Sequence, residues 1–325
     1  MEVLIAMFVL SIGLLGVAAL IPMGRFGIVE TGKADRSGAC GHAALSEIKV
    51  RQMLDPYPWR NAPAVGQWVW ANGNDAAAAA LAGGSFAIDP LGVAKGLPAN
   101  LGGGTVPLPR ITLRPVPTGS PLTLTLAEAD RIFTWHDDLE FSLPKDIKPP
   151  PRGESARPRA NLEGGGLPGF AGSYSWLVTV MPAAAETGLA VADRTLFSVS
   201  VVVCYRRDYS LSDSGQPNGE HTASVKILGQ GYGGGSVELI GATPVDPPLR
   251  LRENEWIMLC GQVSGRTVCK WYRVVSADSQ SPTHYVSLVG PDWDTSVAAT
   301  AVAIDHVVGV YTTTVELDRN LLWNK

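Results

Sequence analysis

The residue types that most often do chemistry are present in this chain but are poorly grouped for it. Trp135-His136-Asp137-Asp138 brings an imidazole beside two carboxylates, the types needed for acid–base work, yet this cluster reads first as a solvated turn. The five histidines, His42, His136, His221, His284 and His306, are scattered, and no two have the spacing that would put two metal ligands on one helix face. Gly229-Gln-Gly231-Tyr-Gly233-Gly-Gly235 lacks the following helix that a phosphate-cradling loop must open, so it reads as a hairpin connection. Asp292-Trp293-Asp294 offers one acidic pair, too few oxygens for calcium with its six to eight ligands. No G-x-S-x-G is present, and Cys204 lies inside a strand-like run where a buried, inert thiol is the default. No catalytic residue, metal site or cofactor is expected.

The cysteine spacing points to structure. Two β-rich runs flank Ser264-Gly265, and a two-residue turn there sets Val263 opposite Arg266 and, counting outward, Cys260 opposite Cys269. That is a non-hydrogen-bonded site, with Cα atoms about 4.5 Å apart, at the short end of disulfide reach. A Cys260–Cys269 bridge is therefore expected, and with it an oxidising, extracytoplasmic setting. A three-residue bulged turn would slip the register by one and leave two reduced cysteines in a strand. Cys40 and Cys204 are expected to stay unpaired, although nothing in the sequence excludes their pairing.

The element that would position the rest is the N-terminal run Val3–Met23, which carries no charge and follows Glu2 directly. As a helix it spans roughly 30 Å, the hydrocarbon thickness of a bilayer, and is longer than the apolar core of a signal peptide. A carboxylate at its head is favoured by the helix N-terminus but is costly in hydrocarbon unless it is paired or near the interface. The apolar and small residues Gly13, Leu20, Gly27, Ala34 and Gly41 recur every seven positions, interleaved with Val17, Gly24, Thr31 and Gly38, and the stripe continues into Leu45 and Ile48. Such a stripe lets a helix pack closely among copies of itself. Its glycines weaken the helix, so Pro22–Gly27 is expected to bend or melt, and the helix should stop by Asp55-Pro56.

Glu2-Val3-Leu4-Ile5-Ala6-Met7, followed by Ile12-Gly13-Leu14-Leu15-Gly16, resembles the N-terminal segment of type IV pilins and of the pseudopilins of type II secretion. The resemblance covers about 25 of the 325 residues. It implies a subunit processed by a prepilin peptidase and assembled through its helix by inner-membrane machinery. Glu2 matches the glutamate that pairs with the methylated amine of a neighbour, and Gly13, Gly16 and Pro22 belong to the assembly helix. The family's basic leader and cleavage glycine would lie upstream of Met1 and would supply the charge opposing Arg25, Lys33 and Arg36. The proline at which many pilins kink would fall on Ala19, whereas this chain has Pro22.

Composition agrees with a β-rich remainder. Hydrophobic residues make up 46% and charged residues 17%, with 36 glycines and 24 prolines, which favours turns and strands over a helical bundle. A net charge of −4 without a dense basic face gives no reason to expect nucleic acid. The expected layout is a helix over 1–55, a Pro/Gly-rich subdomain over 56–143 with short strands near Arg110–Arg114, Leu122–Leu126 and Leu139–Leu143, an exposed loop over 144–169, and an antiparallel β-rich domain over 170–325. Strands are expected at Tyr174–Met181, Thr195–Arg206, Ala223–Leu228, Ser236–Ile240, Trp256–Cys260, Arg266–Ala277, His284–Val289 and Val297–Leu317.

The fold class expected is thus α+β: a long N-terminal transmembrane or spine helix followed by a large, mostly antiparallel β-sheet head. Residues near Leu45, Ile48 and Met53 would cover the sheet. The function expected is a pilin-like or pseudopilin-like structural subunit, held in the cytoplasmic membrane with its head outside, whose partners are homologous subunits, the assembly machinery and membrane lipid. The competing reading is a single-pass anchored β domain that binds a ligand or partner without polymerising; an anchored enzyme is a weaker third.

Overall fold

The computed structural model describes residues 2–51, 53–54, 84–103, 106–112, 124, 126–135, 139–140, 171–182, 196–240, 251–280 and 283–316. Helix α1 (Glu2–Val50) is continuous through Pro22–Gly27, so the expected melt is not seen there. It ends a few residues before Asp55-Pro56, and the Met53 amide closes the end by donating to the Ile48 carbonyl at 3.0 Å.

The strands that follow form two separate bodies. β1 (Phe86–Ile88), β2 (Arg110–Ile111), β5 (Tyr174–Pro182), β6 (Leu196–Tyr205) and β13 (Val307–Glu316) make a five-stranded sheet in the order β13-β6-β5-β1-β2. The pairing is antiparallel except for β1 with β2. β7 (Glu220–Leu228), β8 (Gly234–Ile240), β9 (Trp256–Val263), β10 (Arg266–Gln280), β11 (Thr283–Val289) and β12 (Ala299–Ile304) close into a barrel in the order β10-β11-β8-β7-β12-β9. Two short helices, α2 (Pro90–Ala94) and α3 (Leu126–Phe133), and a small β3 (Leu139–Glu140) and β4 (Ala171–Gly172) ribbon complete the described elements.

Alternation along β5 and β6 explains how these bodies stack. On one face Trp176, Val178, Val180, Val199, Val201 and Val203 bury against Cys40, Ala44 and Ile48 of α1 and Phe133 of α3. On the other, Leu177, Met181, Val202 and Cys204 bury against Met258, Cys260, Cys269 and Trp271 on the outside of the barrel. Inside the barrel lie Leu239, Ile257, Leu259, Tyr272, Val286 and Ala301. The central strands are therefore apolar on both faces because both are covered, by helix on one side and barrel on the other.

Three expectations are corrected. The head is not one antiparallel sheet behind a transmembrane spine; the chain is mostly β, divided between an open sheet and a closed barrel. Closure follows from β10, which pairs with β9 over Arg266–Arg273 and with β11 over Arg273–Gln280, the second ladder carrying a bulge at Val274/Ser276. Secondly, among the described residues no helix is long and apolar enough to cross a membrane, so the single-pass anchor and its localisation in the cytoplasmic membrane are not supported. Finally, the run expected as one strand over Val297–Leu317 is two, broken where His306 takes a left-handed φ of 62°. There the chain leaves the barrel for the sheet.

Candidate functional site

Among the described residues, the densest group of charges is one that the sequence does not reveal. Asp89 follows β1 and caps α2, its Oδ1 accepting from the Gly92 amide at 3.0 Å. Arg207, just past β6, grips the same carboxylate with both ends of its guanidinium, Nη1 to Oδ1 at 3.0 Å and Nη2 to Oδ2 at 2.8 Å. Its Nη2 also reaches Glu220 Oε1 at 3.0 Å, at the start of β7. Arg110 on β2 closes the ring, with Nε 3.1 Å from Asp89 Oδ2 and Nη2 donating to Glu220 Oε1. The remaining Glu220 oxygen accepts from the Gly102 amide at 2.8 Å, and Arg110 Nη1 donates to the Pro98 carbonyl at 3.2 Å.

Two acids and two arginines cancel, and their side chains are 0–2% exposed. Burial alone would raise the Asp89 carboxyl, but Arg207 and Arg110, with hydrogen bonds from Arg207 and the Gly92 amide, outweigh it and hold Asp89 below the usual carboxylate range. Arg207 behaves as its counterpart: burial opposes its charge, and Asp89 more than restores it. Tyr209 lies 5.0 Å below the Arg207 guanidinium with Lys95 4.1 Å from its ring, and its hydroxyl donates to Ser175 at 3.1 Å. The carboxylates are spent on partners within the cluster and no solvent reaches them, so the arrangement cannot hold a substrate against a reactive group. What it does is mechanical. The β6–β7 and β12–β13 crossings between sheet and barrel run side by side, joined by the Tyr205 amide on the His306 carbonyl and the Asp305 amide on that of Gly219, each at 2.9 Å. The cluster ties the first crossing to the β1–β2 edge of the sheet.

The residues singled out from the sequence are not brought together. His42 stands 6.1 Å from the Tyr311 ring, His221 meets Asp305 at 3.2 Å, His284 is buried on β11, and His306 occupies the turn before β13. His136, Asp137 and Asp138 lie outside the described residues, as do the alanine run 76–80 and the loop 144–169. Gly229–Gly235 does connect a hairpin, β7 to β8, fixed by the Asp292 carboxylate accepting from the Gly233 amide at 2.7 Å. Among the described residues no cluster of metal-ligating side chains occurs.

Ser264 (φ 50°) and Gly265 (φ 76°) make the two-residue turn, and Cys260 stands directly opposite Cys269, in the register read from the sequence. The expected disulfide is corrected: both thiols are free and buried in the sheet–barrel interface. Burial pushes the Cys269 thiol up to about 11 and the Cys260 thiol well above its ordinary value, so neither is a ready thiolate for exchange. Cys40 and Cys204 are also free, each pushed up to about 12, chiefly by burial.

The assembly residues divide along α1. Towards its C-terminal end the glycines serve the chain's own head: a Cβ at Gly41 would overlap the Tyr311 ring, and Ser37 Oγ lies 3.2 Å from the Tyr311 hydroxyl. Towards its N-terminal end nothing lies within 4 Å of a Cβ built at Gly13, Gly16, Gly24, Gly27 or Gly32. The side chains of Glu2 and Pro22 lie outside the described residues. Large apolar groups there stand in the open, among them Leu10 (70% exposed), Leu15 (76%) and Ile28 (74%). Met7, Phe8, Val9 and Leu10 are consecutive, so they face every direction around the helix. No protein-family model and no curated protein matches the chain.

Proposed function

We propose that this chain is a structural subunit that assembles with several copies of itself, or with homologous subunits, through the N-terminal half of α1. The observation that carries this reading is the helix over residues 3–29, whose exposed apolar side chains point all round while its glycines touch nothing. Covering one Val, Leu, Ile, Phe or Met side chain contributes roughly 1.5–3 kcal/mol, so leaving a dozen of them in water is strongly disfavoured. One neighbouring helix covers a stripe; a helix apolar on every side needs several neighbours. The bare glycines then gain a use, since they let those neighbours approach closely.

The likeness of Glu2–Gly16 to the pilin segment supports the same use of the helix, and assembly alone is carried over from it. In this reading Glu2, the first residue of α1, is the carboxylate that pairs between subunits. Leu15→Cys tests the surface directly, because the four native thiols are buried. Oxidation should link Leu15→Cys chains to one another in high yield; absence of any covalent dimer would remove the proposal. Glu2→Ala should lower that yield, and an unchanged yield would remove the role of Glu2.

A further inference from the structure

We propose that the outer edge of β13 pairs antiparallel with the same strand of a second copy, joining two five-stranded sheets across a two-fold axis. This goes beyond assembly through α1 and uses a different surface. β13 ends the sheet order β13-β6-β5-β1-β2, bonded to β6 on one side and to no strand on the other among the described residues. Edge strands are usually blunted by brevity, proline, lysine or a bulge in mid-strand. At the far edge β2 is only two residues long. β13 runs for ten, VVGVYTTTVE, with no proline and no lysine, its one charge at the last position. Its register shift lies between Val307 and Gly309, and from Gly309 to Glu316 the ladder is regular.

The strand is also complementary to itself. An antiparallel pair centred on Thr313 sets Thr313 against the partner's Thr313, Thr312 against the partner's Thr314, and Tyr311 against the partner's Val315. Threonine pairs and aromatic–β-branched pairs are favourable cross-strand combinations. Glu316 falls opposite the partner's Val310, so like charges never meet.

The geometry of α1 permits the pairing. Lys33 sits 5.4 Å from the Tyr205 ring, whose amide bonds to His306, while Ser37 and Gly41 meet Tyr311. The helix thus runs in the same sense as β13, and residues 3–29 project beyond the Val307 end. A two-fold through Thr313 sends the two projecting helices in opposite directions, leaving both uncovered for packing with further copies.

The full chain carrying Thr313→Cys is oxidised alongside one carrying Thr312→Cys. A disulfide should form at Thr313→Cys, where the residue opposes itself, at least tenfold faster than at Thr312→Cys, which opposes the partner's Thr314. No covalent dimer at Thr313→Cys, or equal rates at both positions, would overturn the pairing. The same comparison in a Leu10→Lys/Leu14→Lys background separates the two surfaces. Retention of the tenfold preference there supports the pairing whatever becomes of assembly through α1, and its loss there overturns an independent edge contact. As a fold check in that Leu10→Lys/Leu14→Lys background, Thr313→Lys should abolish the two-copy species with the near-UV spectrum unchanged; persistence of that species would also overturn it.

Discussion

Asp89, Arg110, Arg207 and Glu220 come from four separate stretches of chain and meet without solvent. Such a cluster adds little net stability over well-packed apolar groups, but breaking it leaves charges buried without their counterparts. Asp89→Asn should therefore cost on the order of 3–5 kcal/mol in denaturant unfolding, with Glu220→Gln similar. The pH dependence has a definite sign. Asp89 is depressed in the folded state, so its stabilisation is present above the unfolded carboxylate value near ~3.9 and is lost as pH falls through the lower folded value. Unfolding free energy should drop steeply below about pH 4, and Asp89→Asn should flatten that limb. None of this was legible in the sequence. Arg110 and Glu220 sit in ordinary strand contexts, and nothing local marks a charge that will be buried by a partner over a hundred residues away.

At the scale of elements, α1 was the most legible feature, because an uncharged run followed by a small-residue stripe is a local pattern. The stripe's purpose was only half legible. Gly38 and Gly41 were indistinguishable in sequence from Gly13 and Gly16, yet they serve Tyr311 of the same chain. Gly41→Leu should undock the helix, costing roughly 1–3 kcal/mol by overpacking. A Tyr311→Ala background should recover most of that loss, and a double-mutant cycle in denaturant unfolding measures it. Strand positions were read nearly to the residue where β-branched runs are bounded by turn residues, as at Tyr174–Pro182 and Thr283–Val289. Helix α3 was missed: LAEADRIF is short, and the threonine alternation just before it drew the reading towards a strand. The β9–β10 register followed from turn chemistry at Ser264-Gly265, whereas the redox state of the cysteines did not follow from register.

Across the whole molecule, the division into sheet and barrel was hidden because pairing between strands distant in sequence leaves no local trace. β12 and β13 read as one run, although one closes the barrel and the other edges the sheet. The resulting body covers both faces of β5 and β6 and, among the described residues, leaves a large apolar surface, the first half of α1, without cover. Sedimentation velocity on the full-length chain, beside a Leu10→Lys/Leu14→Lys variant, bears on that surface most directly. The native chain should sediment as a species of more than two copies, and the variant should fall to two copies or one with the near-UV signal of its head intact. A native chain that stays at one or two copies at every concentration, or a variant that assembles as well as the native chain, would contradict assembly through α1.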